Sequence, residues 1–389
     1  MPSGRAALAL LVSLSLALSA CESPAKEPSA KDLTVRPQWR ELSLPKPPGP
    51  DGRLVLRDAV PCDGIWYVVG AVANAAGDTR PAIWRSDDGQ AWLPVKLIPH
   101  SFYGELNVLY SAACKGRRLA ALGSKPGGAH GNPRVSTWQQ LPDGSFDEVM
   151  TAAFEVYGGP QAINVGRMAA GPAGFMMAGN RYSGAAVWFS PDSAEFKILE
   201  RVPELASDSR GETWANDVAV TPQGWVVVGG ILTDGRIDRD PMGWVSSDGV
   251  AWRRTKASST DVYEEFQRVV VRDGKVFAVG IDGQGFAAWR LDGDQWTRTA
   301  TFGAINGLGA TRASTVVDGK LLCVISDGSA HHLFLSADGV SWRAVQGPSE
   351  MPSTADALTY AAAFAQRLVL LIDDGRVGRL WVADVSVTF

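Results

Sequence analysis

The stretch from Gly224 to Trp252 recurs along the chain and limits its fold more than any other feature. It opens Gly224-Trp225-Val226-Val227-Val228-Gly229, an apolar β run bounded by glycines, and closes on Ser246-Ser247-Asp248-Gly249-Val250-Ala251-Trp252. The second half reads as a strand, a tight turn carrying Ser-x-Asp-Gly, and a new strand that starts on tryptophan. The strand-opening glycine and its apolar run also occur at Gly64, Gly116, Gly174, Gly274 and Gly319, and a further copy, Arg367 to Ile372, lacks the glycine. The turn aspartates follow at Asp88, Asp143, Asp192, Asp248, Asp292 and Asp338, and degenerately at Asp384. Their mean spacing is roughly 49 residues, which suits a four-stranded propeller blade of about 40–50 residues.

The two ends predict how the ring closes. The last copy stops soon after its turn, without a fourth strand, while an unmatched strand, Gln38 to Leu44, precedes the first copy and resembles Trp252-Arg253-Arg254-Thr255. Placing this N-terminal strand outermost in the last blade gives an all-β, seven-bladed β-propeller of four-stranded blades over residues 33–389. Closure of this kind leaves no long open sheet edge. It also frees 389 residues from needing one large core, because each unit packs on its neighbours.

Ahead of the propeller, residues 1–20 read as a signal peptide, with Arg5 as the positive end and Ala6 to Leu18 as the apolar core. That core is too short for a membrane span, which takes about 20 residues. Leu18-Ser19-Ala20-Cys21 resembles a bacterial lipobox, which implies cleavage before Cys21 and a lipid on its sulfur; the alternative is an ordinary secretory leader with a chance cysteine. Residues 21–32, rich in Pro, Ala, Ser and charge, read as a flexible tether. The expected location is the cell envelope, outside the cytoplasmic membrane, with the membrane as partner through the anchor. A net charge of −4 without a basic run predicts no nucleic-acid partner, and the propeller is expected to be monomeric. Cys62 and Cys114 occupy equivalent positions two residues before a strand-opening glycine. They bridge in an oxidising compartment if adjacent repeats bring them close enough, and stay reduced otherwise. Cys323, inside an apolar strand, reads as a buried small hydrophobe.

Ser86-Asp87-Asp88-Gly89-Gln90-Ala91-Trp92, Ser246 to Trp252 and Ser336-Ala337-Asp338-Gly339-Val340-Ser341-Trp342 resemble the Asp-box (BNR) repeat of sialidase-like propellers, though with one residue fewer between Asp and Gly. Ser190 to Phe196 is a weaker copy, and the copies at Asp143 and Asp292 keep the aspartate and the aromatic without the leading serine. The aspartates read as structural: a carboxylate beside a turn glycine accepts backbone N–H groups that the reversal leaves unpaired. The aromatic three residues after the glycine fills the gap between blades. The resemblance implies that these turns lie away from any site, and that a site gathers on the opposite rim. It also implies an arginine cluster, a Tyr–Glu nucleophile pair and an acidic acid/base in a sialidase. The Arg-Ile-Pro segment that marks the first arginine is missing, and Gly235-Arg236-Ile237-Asp238 is its nearest approach.

On that opposite rim the candidate ligand-binding residues are Tyr103, Glu105, Glu212, Trp214, Tyr263 and Glu264, all ten to thirteen residues before a strand-opening glycine, with Glu265 beside them. Carboxylates beside aromatic platforms suit glycan binding or glycan chemistry. Solvated loop residues with an aromatic packed locally are the plainer reading. His331-His332 has no partner at zinc-ligand spacing, and the loop Asp234 to Asp240 carries arginines that pair with its own carboxylates rather than leaving them for calcium. No metal site, no cofactor and no assigned catalytic residue are therefore expected. The sequence predicts a binding or scaffold module for a glycan or an envelope protein. The rival is a glycan-active enzyme, a glycoside hydrolase or a lyase, working from the Glu/Tyr rim.

Overall fold

The structure is a computed structural model that describes residues 34–127, 133–150 and 154–385. The leader, Cys21 and the tether lie outside the described residues. The first blade consists of the strands Arg53–Cys62, Ile65–Ala73, Thr79–Ser86 and Leu93–Pro94, each antiparallel to the next. The same up-and-down order restarts at Val108, Ala162, Glu212, Glu264, Ala310 and Leu358. The first strand of each unit lies against the first strand of the next, and Arg53–Cys62 lies against Leu358–Phe364, so the units form a closed ring. The chain is an all-β propeller with four-stranded blades.

Hydrogen bonding does not keep every blade separate, as the sequence predicted it would. The outer strand Arg253–Ala257 pairs in parallel with Gln295–Phe302, so two four-stranded units share one eight-stranded sheet. The local cause is Trp296, whose indole N–H donates to Thr255 Oγ1 at 2.7 Å and draws the two outer edges together. A short strand, Leu97–Ile98, likewise joins the edge of the unit that starts at Val108.

The N-terminal strand Arg40–Leu42 pairs antiparallel with Gly378–Asp384, in the register Arg40 to Val382 and Leu42 to Leu380. Trp39 reinforces this seam by donating its indole N–H to the Gln346 carbonyl at 2.8 Å. The start of the described chain is thus bonded to its end.

Second strands are covered on both faces by neighbouring sheets, which is why they read as unbroken apolar runs rather than alternating ones. Every residue of Gly174–Arg181 is buried. Between blades the core is a repeated layer: Trp66, Val68 and Trp84 of one blade, for instance, pack with Val369 and Leu371 of the last.

The tryptophans of the third strands have a second task. Trp84, Trp188 and Trp244 are fully buried, and each donates its indole N–H to a carbonyl in the loop that leads into its own blade. The acceptors are Pro45, Val156 and Glu204, at 2.7, 2.5 and 2.8 Å. A buried indole N–H needs a partner, and here that need ties an irregular loop to the rigid sheet below it.

At the other rim, Asp88, Asp248 and Asp338 share one geometry. Each Oδ1 accepts two backbone N–H groups at 2.8–2.9 Å and the hydroxyl of the serine two residues earlier at 3.0–3.1 Å. Asp143 and Asp192 accept fewer such bonds, and Asp292 is held by Arg290 instead. The aromatics that follow, Trp92, Phe146, Phe196, Trp252 and Trp296, are buried. Cys62 and Cys114 form a disulfide with a Cα separation of 5.4 Å, an ordinary span for a bridge, because adjacent first strands turn their lower ends toward each other. Cys323 is buried and free.

Candidate functional site

The residues around the propeller axis are placed there by a backbone irregularity that recurs from blade to blade. In six of the first strands extra residues interrupt the pairing, once in most of them, as between Leu56 and Asp58, Leu109 and Ser111, Ala215 and Asp217, or Phe266 and Arg268, and twice in Ala162–Gly171. Such a bulge bends the strand and re-aims a side chain. It also presses a carbonyl of the first strand against the second. A Cβ on Gly70, Gly229 or Gly280 would stand 1.9, 1.8 or 1.8 Å from the carbonyl oxygen of Val55, Trp214 or Glu265. In these three units the glycine that closes the apolar run is therefore the partner of the bulge.

The side chains at and beside the bulges stitch each first strand to the next. Asp58 accepts the N–H groups of Ala59 and Ala112 at 2.8 and 2.9 Å, and Asp217, its equivalent, accepts those of Val218 and Val269 at 3.0 Å. Asn216 donates to the Phe266 carbonyl, Gln267 accepts from the Thr311 N–H, and Arg268 donates to the Arg312 carbonyl. Arg167 stacks on Tyr360 with its guanidinium 4.5 Å from the ring centre, and reaches Asp58 at 3.6 Å. Burial raises the pKa of both Asp58 and Asp217, against the pull of Arg167 on each and of Arg268 on Asp217. These aspartates are spent on holding the axis together.

Toward the rim of the longer loops, the first strands that start at Glu212, Glu264 and Ala310 carry a different kind of cluster. Tyr263 donates its hydroxyl to Glu265 Oε2 at 2.8 Å. Arg239 lies over the Trp214 ring at 4.9 Å and stands 3.6 Å from Glu265 Oε1. Gln267 approaches the same carboxylate at 3.4 Å. Burial, and then the Glu265 charge, push the Tyr263 phenol well above its ordinary pKa, so Tyr263 rests as a neutral phenol whose hydroxyl donates to Glu265.

Around this cluster, buried polar atoms have no hydrogen-bond partner among the described residues: Glu265 Oε1, Thr311 Oγ1, Arg312 Nε, Thr359 Oγ1 and His331 Nε2. His331 Nδ1 faces the Pro352 carbonyl at 2.9 Å, which makes Nδ1 the protonated nitrogen and leaves Nε2 an acceptor. Burial and the neighbouring Arg312 charge pull its pKa down to about 4. Arg312 has no carboxylate partner among the described residues. Buried polar groups are nearly always satisfied, so these atoms, covered as they stand, are candidates for partners from outside the chain, water or ligand.

The predicted candidates fall into four places. Trp214 and Tyr263 join through Arg239 and Glu265 into the cluster above. Glu264, next in the chain, points elsewhere: it is fully buried, accepts the Thr260 N–H and hydroxyl at 2.8 and 2.9 Å, and pairs with Arg298. Glu212 is exposed at the start of its strand. Tyr103 and Glu105 sit on the short helix Phe102–Glu105, capped by Ser101, in the unit that starts at Val108. Tyr103 lies beside Arg134 there, while Glu105 is exposed. Sequence reasoning did not single out Gln267 or Arg312, set His331 aside for want of zinc partners, and expected the arginines of the loop Asp234 to Asp240 to pair within it, whereas Arg239 reaches Glu265 instead. For Gln267 the available signal was the closing glycine Gly280, which marks the register of the bulge. In the loop Asp234 to Asp240, Arg236 pairs with Asp240 at 3.0 Å, and His332 pairs with Asp327 at 2.8 Å.

No protein-family model matches the sequence, and no curated protein sequence matches it either. Among solved structures, the β-propeller domain of Cps50 (Swd1) from Myceliophteria thermophila is similar with a TM-score of 0.50 at 13% identity, over 85% of this chain and 99% of that one. The β-propeller domain of the Trilobed protease from Pyrococcus furiosus gives 0.49 at 11% identity, covering 86% and 95%. A Trypanosoma rangeli sialidase mutant with trans-sialidase activity gives 0.47 at 12%, covering 91% of this chain and 60% of that one. At such identities the likeness is one of fold, and the fold is a propeller.

Proposed function

We propose that this chain is a lipid-anchored, extracytoplasmic seven-bladed propeller that binds an envelope glycan, or a glycan-bearing envelope partner, at the rim carrying Trp214, Tyr263, Glu265 and Arg312. The count of seven takes the eight-stranded sheet as two blades, since each half is a complete four-stranded meander with its own first strand on the axis. The anchor is Cys21, after removal of residues 1–20, and residues 21–32 hold the propeller near the membrane.

One observation supports the binding reading: buried donors and acceptors without a hydrogen bond on adjacent first strands, Thr311 Oγ1, Arg312 Nε and Thr359 Oγ1, with His331 Nε2 beside them and Glu265 Oε1 held only by the Arg239 charge at 3.6 Å. A polyhydroxylated ligand supplies donors and acceptors to such a set, and one with a carboxylate would also meet the Arg312 charge. Trp214 serves as the support of Arg239 rather than as an open stacking face. The test is calorimetric titration of the purified protein with soluble envelope glycans. The reading expects a glycan whose affinity falls at least about tenfold in Arg312→Ala and Glu265→Gln, the loss of a charge-assisted hydrogen bond. Glycan binding that survives both substitutions sinks it.

A second reading, a glycoside hydrolase, is favoured by the Tyr263–Glu265 hydrogen bond of 2.8 Å. This is the pairing a tyrosine nucleophile needs, with the carboxylate placed to take the phenol proton. Release of fluorophore from aryl glycosides, abolished in Tyr263→Phe, would move the protein from module to enzyme.

A further inference from the structure

A second, chemically different site lies on the far side of the axis from Glu265. Between the units that start at Val108 and Ala162 there is a cavity of about 370 Å³ lined chiefly by Val108, Tyr110, Val135, Tyr157 and Ile163. A smaller cavity of about 170 Å³ adjoins it across Pro133, Val135 and Tyr157, and runs outward past Tyr103, Phe154 and Met150. Sharing these three wall residues, the two cavities are taken together as one groove, with Arg57 lining one end and Phe154 the other. At its outer end Phe102, Met150 and Phe154 are 69%, 56% and 55% exposed, a concentration of apolar surface that a folded monomer seldom leaves open without use.

The groove has one unusual charge. Arg134 stands with its guanidinium 4.5 Å from the Phe154 ring centre and 5.6 Å from that of Tyr103. Its Nε is buried without a hydrogen-bond partner, and among the described residues no carboxylate pairs with it. The other charges at the groove are occupied. Glu148 accepts the His100 and Ser101 N–H groups and the hydroxyls of Ser101 and Ser136, at 2.7–2.9 Å. At the axial end, Arg57 donates to Asp373 at 2.6 Å and to the Leu56 carbonyl.

We infer that this groove binds a carboxylic acid with an apolar body, the body in the larger cavity and the carboxylate on Arg134. Apolar walls with few polar groups at one end are the usual form of a small-molecule pocket. A guanidinium supported by aromatic rings keeps N–H groups with which to meet a carboxylate as a fork. A cationic amphiphile meets the Arg134 charge, and a neutral polar ligand meets few polar side chains along the walls of the larger cavity, Ser124 and Asn164 among them. The site is separate from the glycan-binding rim and stands or falls without it.

The probe is dodecanoate, titrated into the full chain by displacement of a fluorescent fatty acid, with dodecyltrimethylammonium and dodecanol as the cationic and neutral analogues. Saturable one-to-one binding of dodecanoate is expected, stronger than either analogue by about tenfold or more. Arg134→Gln should remove that preference while leaving weak binding of all three, and Arg134→Lys should keep part of it. Val135→Glu, which places a charge in the wall, should abolish binding; circular dichroism checks that each variant is folded. Absence of dodecanoate binding overturns the site. Equal binding of the three amphiphiles, or an unchanged preference in Arg134→Gln, overturns the role of Arg134.

Discussion

On the rim carrying the Ser-x-Asp-Gly turns, Asp88, Asp248 and Asp338 each meet two backbone N–H groups and a serine hydroxyl. These bonds, the backbone ones first, hold their carboxyls below the ordinary range. On the opposite rim, Glu265, Thr311, Arg312, His331 and Thr359 keep buried polar atoms without hydrogen-bond partners, and His331 is pulled down to about 4 by burial and Arg312. Both rims belong to the same blades. The turn rim also leaves buried donors unpaired, but there it is one group repeated, the indole N–H of Trp92, Trp252 and Trp342. The loop rim leaves a carboxylate oxygen, hydroxyls, a guanidinium nitrogen and an imidazole nitrogen, a mixture that differs from blade to blade. The contrast teaches where to look for recognition: in the rim whose unpaired groups are chemically varied rather than repeated.

The sharpest way to break the contrast is through two glycines of one hairpin. Gly280→Ala puts a Cβ 1.8 Å from the Glu265 carbonyl, beneath the orphan cluster, and backbone must move. Gly274→Ala, at the turn rim, meets nothing within 4 Å and costs only its positive φ of 72°. Urea denaturation should give a loss of about 3 kcal/mol for Gly280→Ala and about 1 kcal/mol for Gly274→Ala. Equal losses would mean that the bulge does not constrain the strand.

Next in size is a pH effect confined to the loop rim. The unfolded chain protonates His331 near pH 6.5 and the folded chain only near about 4, so in that window the unfolded state binds more protons. Stability therefore falls as pH drops from about 6.5 to about 4, by up to about 3 kcal/mol in all. His331→Asn, which can keep the donor to Pro352, should flatten that part of the stability–pH curve. An unchanged curve would mean that His331 is not held neutral by its surroundings.

Smaller effects separate the two rims by what they spare. Trp244→Phe removes the donor to the Glu204 carbonyl and should cost about 1 kcal/mol, with protease sensitivity appearing in the loop that holds Glu204. Ser246→Ala removes the acceptor of the Gly249 N–H, 2.8 Å away, and a donor to Asp248. It should cost about 1 kcal/mol as well, but without any change at the loop rim. Glycan affinity that falls in Ser246→Ala at full folding would merge the two rims into one functional surface.

The ring and its turns were legible in the sequence because both rest on local, repeated chemistry. An apolar run between glycines and an Asp-Gly before an aromatic need only their own neighbours to be understood. The pairing of Arg40–Leu42 with Gly378–Asp384 followed from counting strands at the two ends. The parallel contact that fuses two units was not legible, since it depends on how far Trp296 reaches toward Thr255 across a gap. The loop rim was legible only in part. Trp214 and Tyr263 could be singled out by type and spacing, but Arg239 arrives from a loop, and Arg312 and His331 from other strands of the ring. Glu264 and Glu265 are adjacent, and only the direction of the strand decides that one is bound to Thr260 and Arg298 while the other faces Tyr263.

The division between the rims is tested most directly by titrating one envelope glycan into Arg312→Ala and Ser246→Ala side by side, each corrected for its folded fraction. Loss of at least about tenfold in affinity for Arg312→Ala, with Ser246→Ala within about twofold of the natural protein, is the predicted result. The opposite pattern, or equal losses in both, would contradict the account.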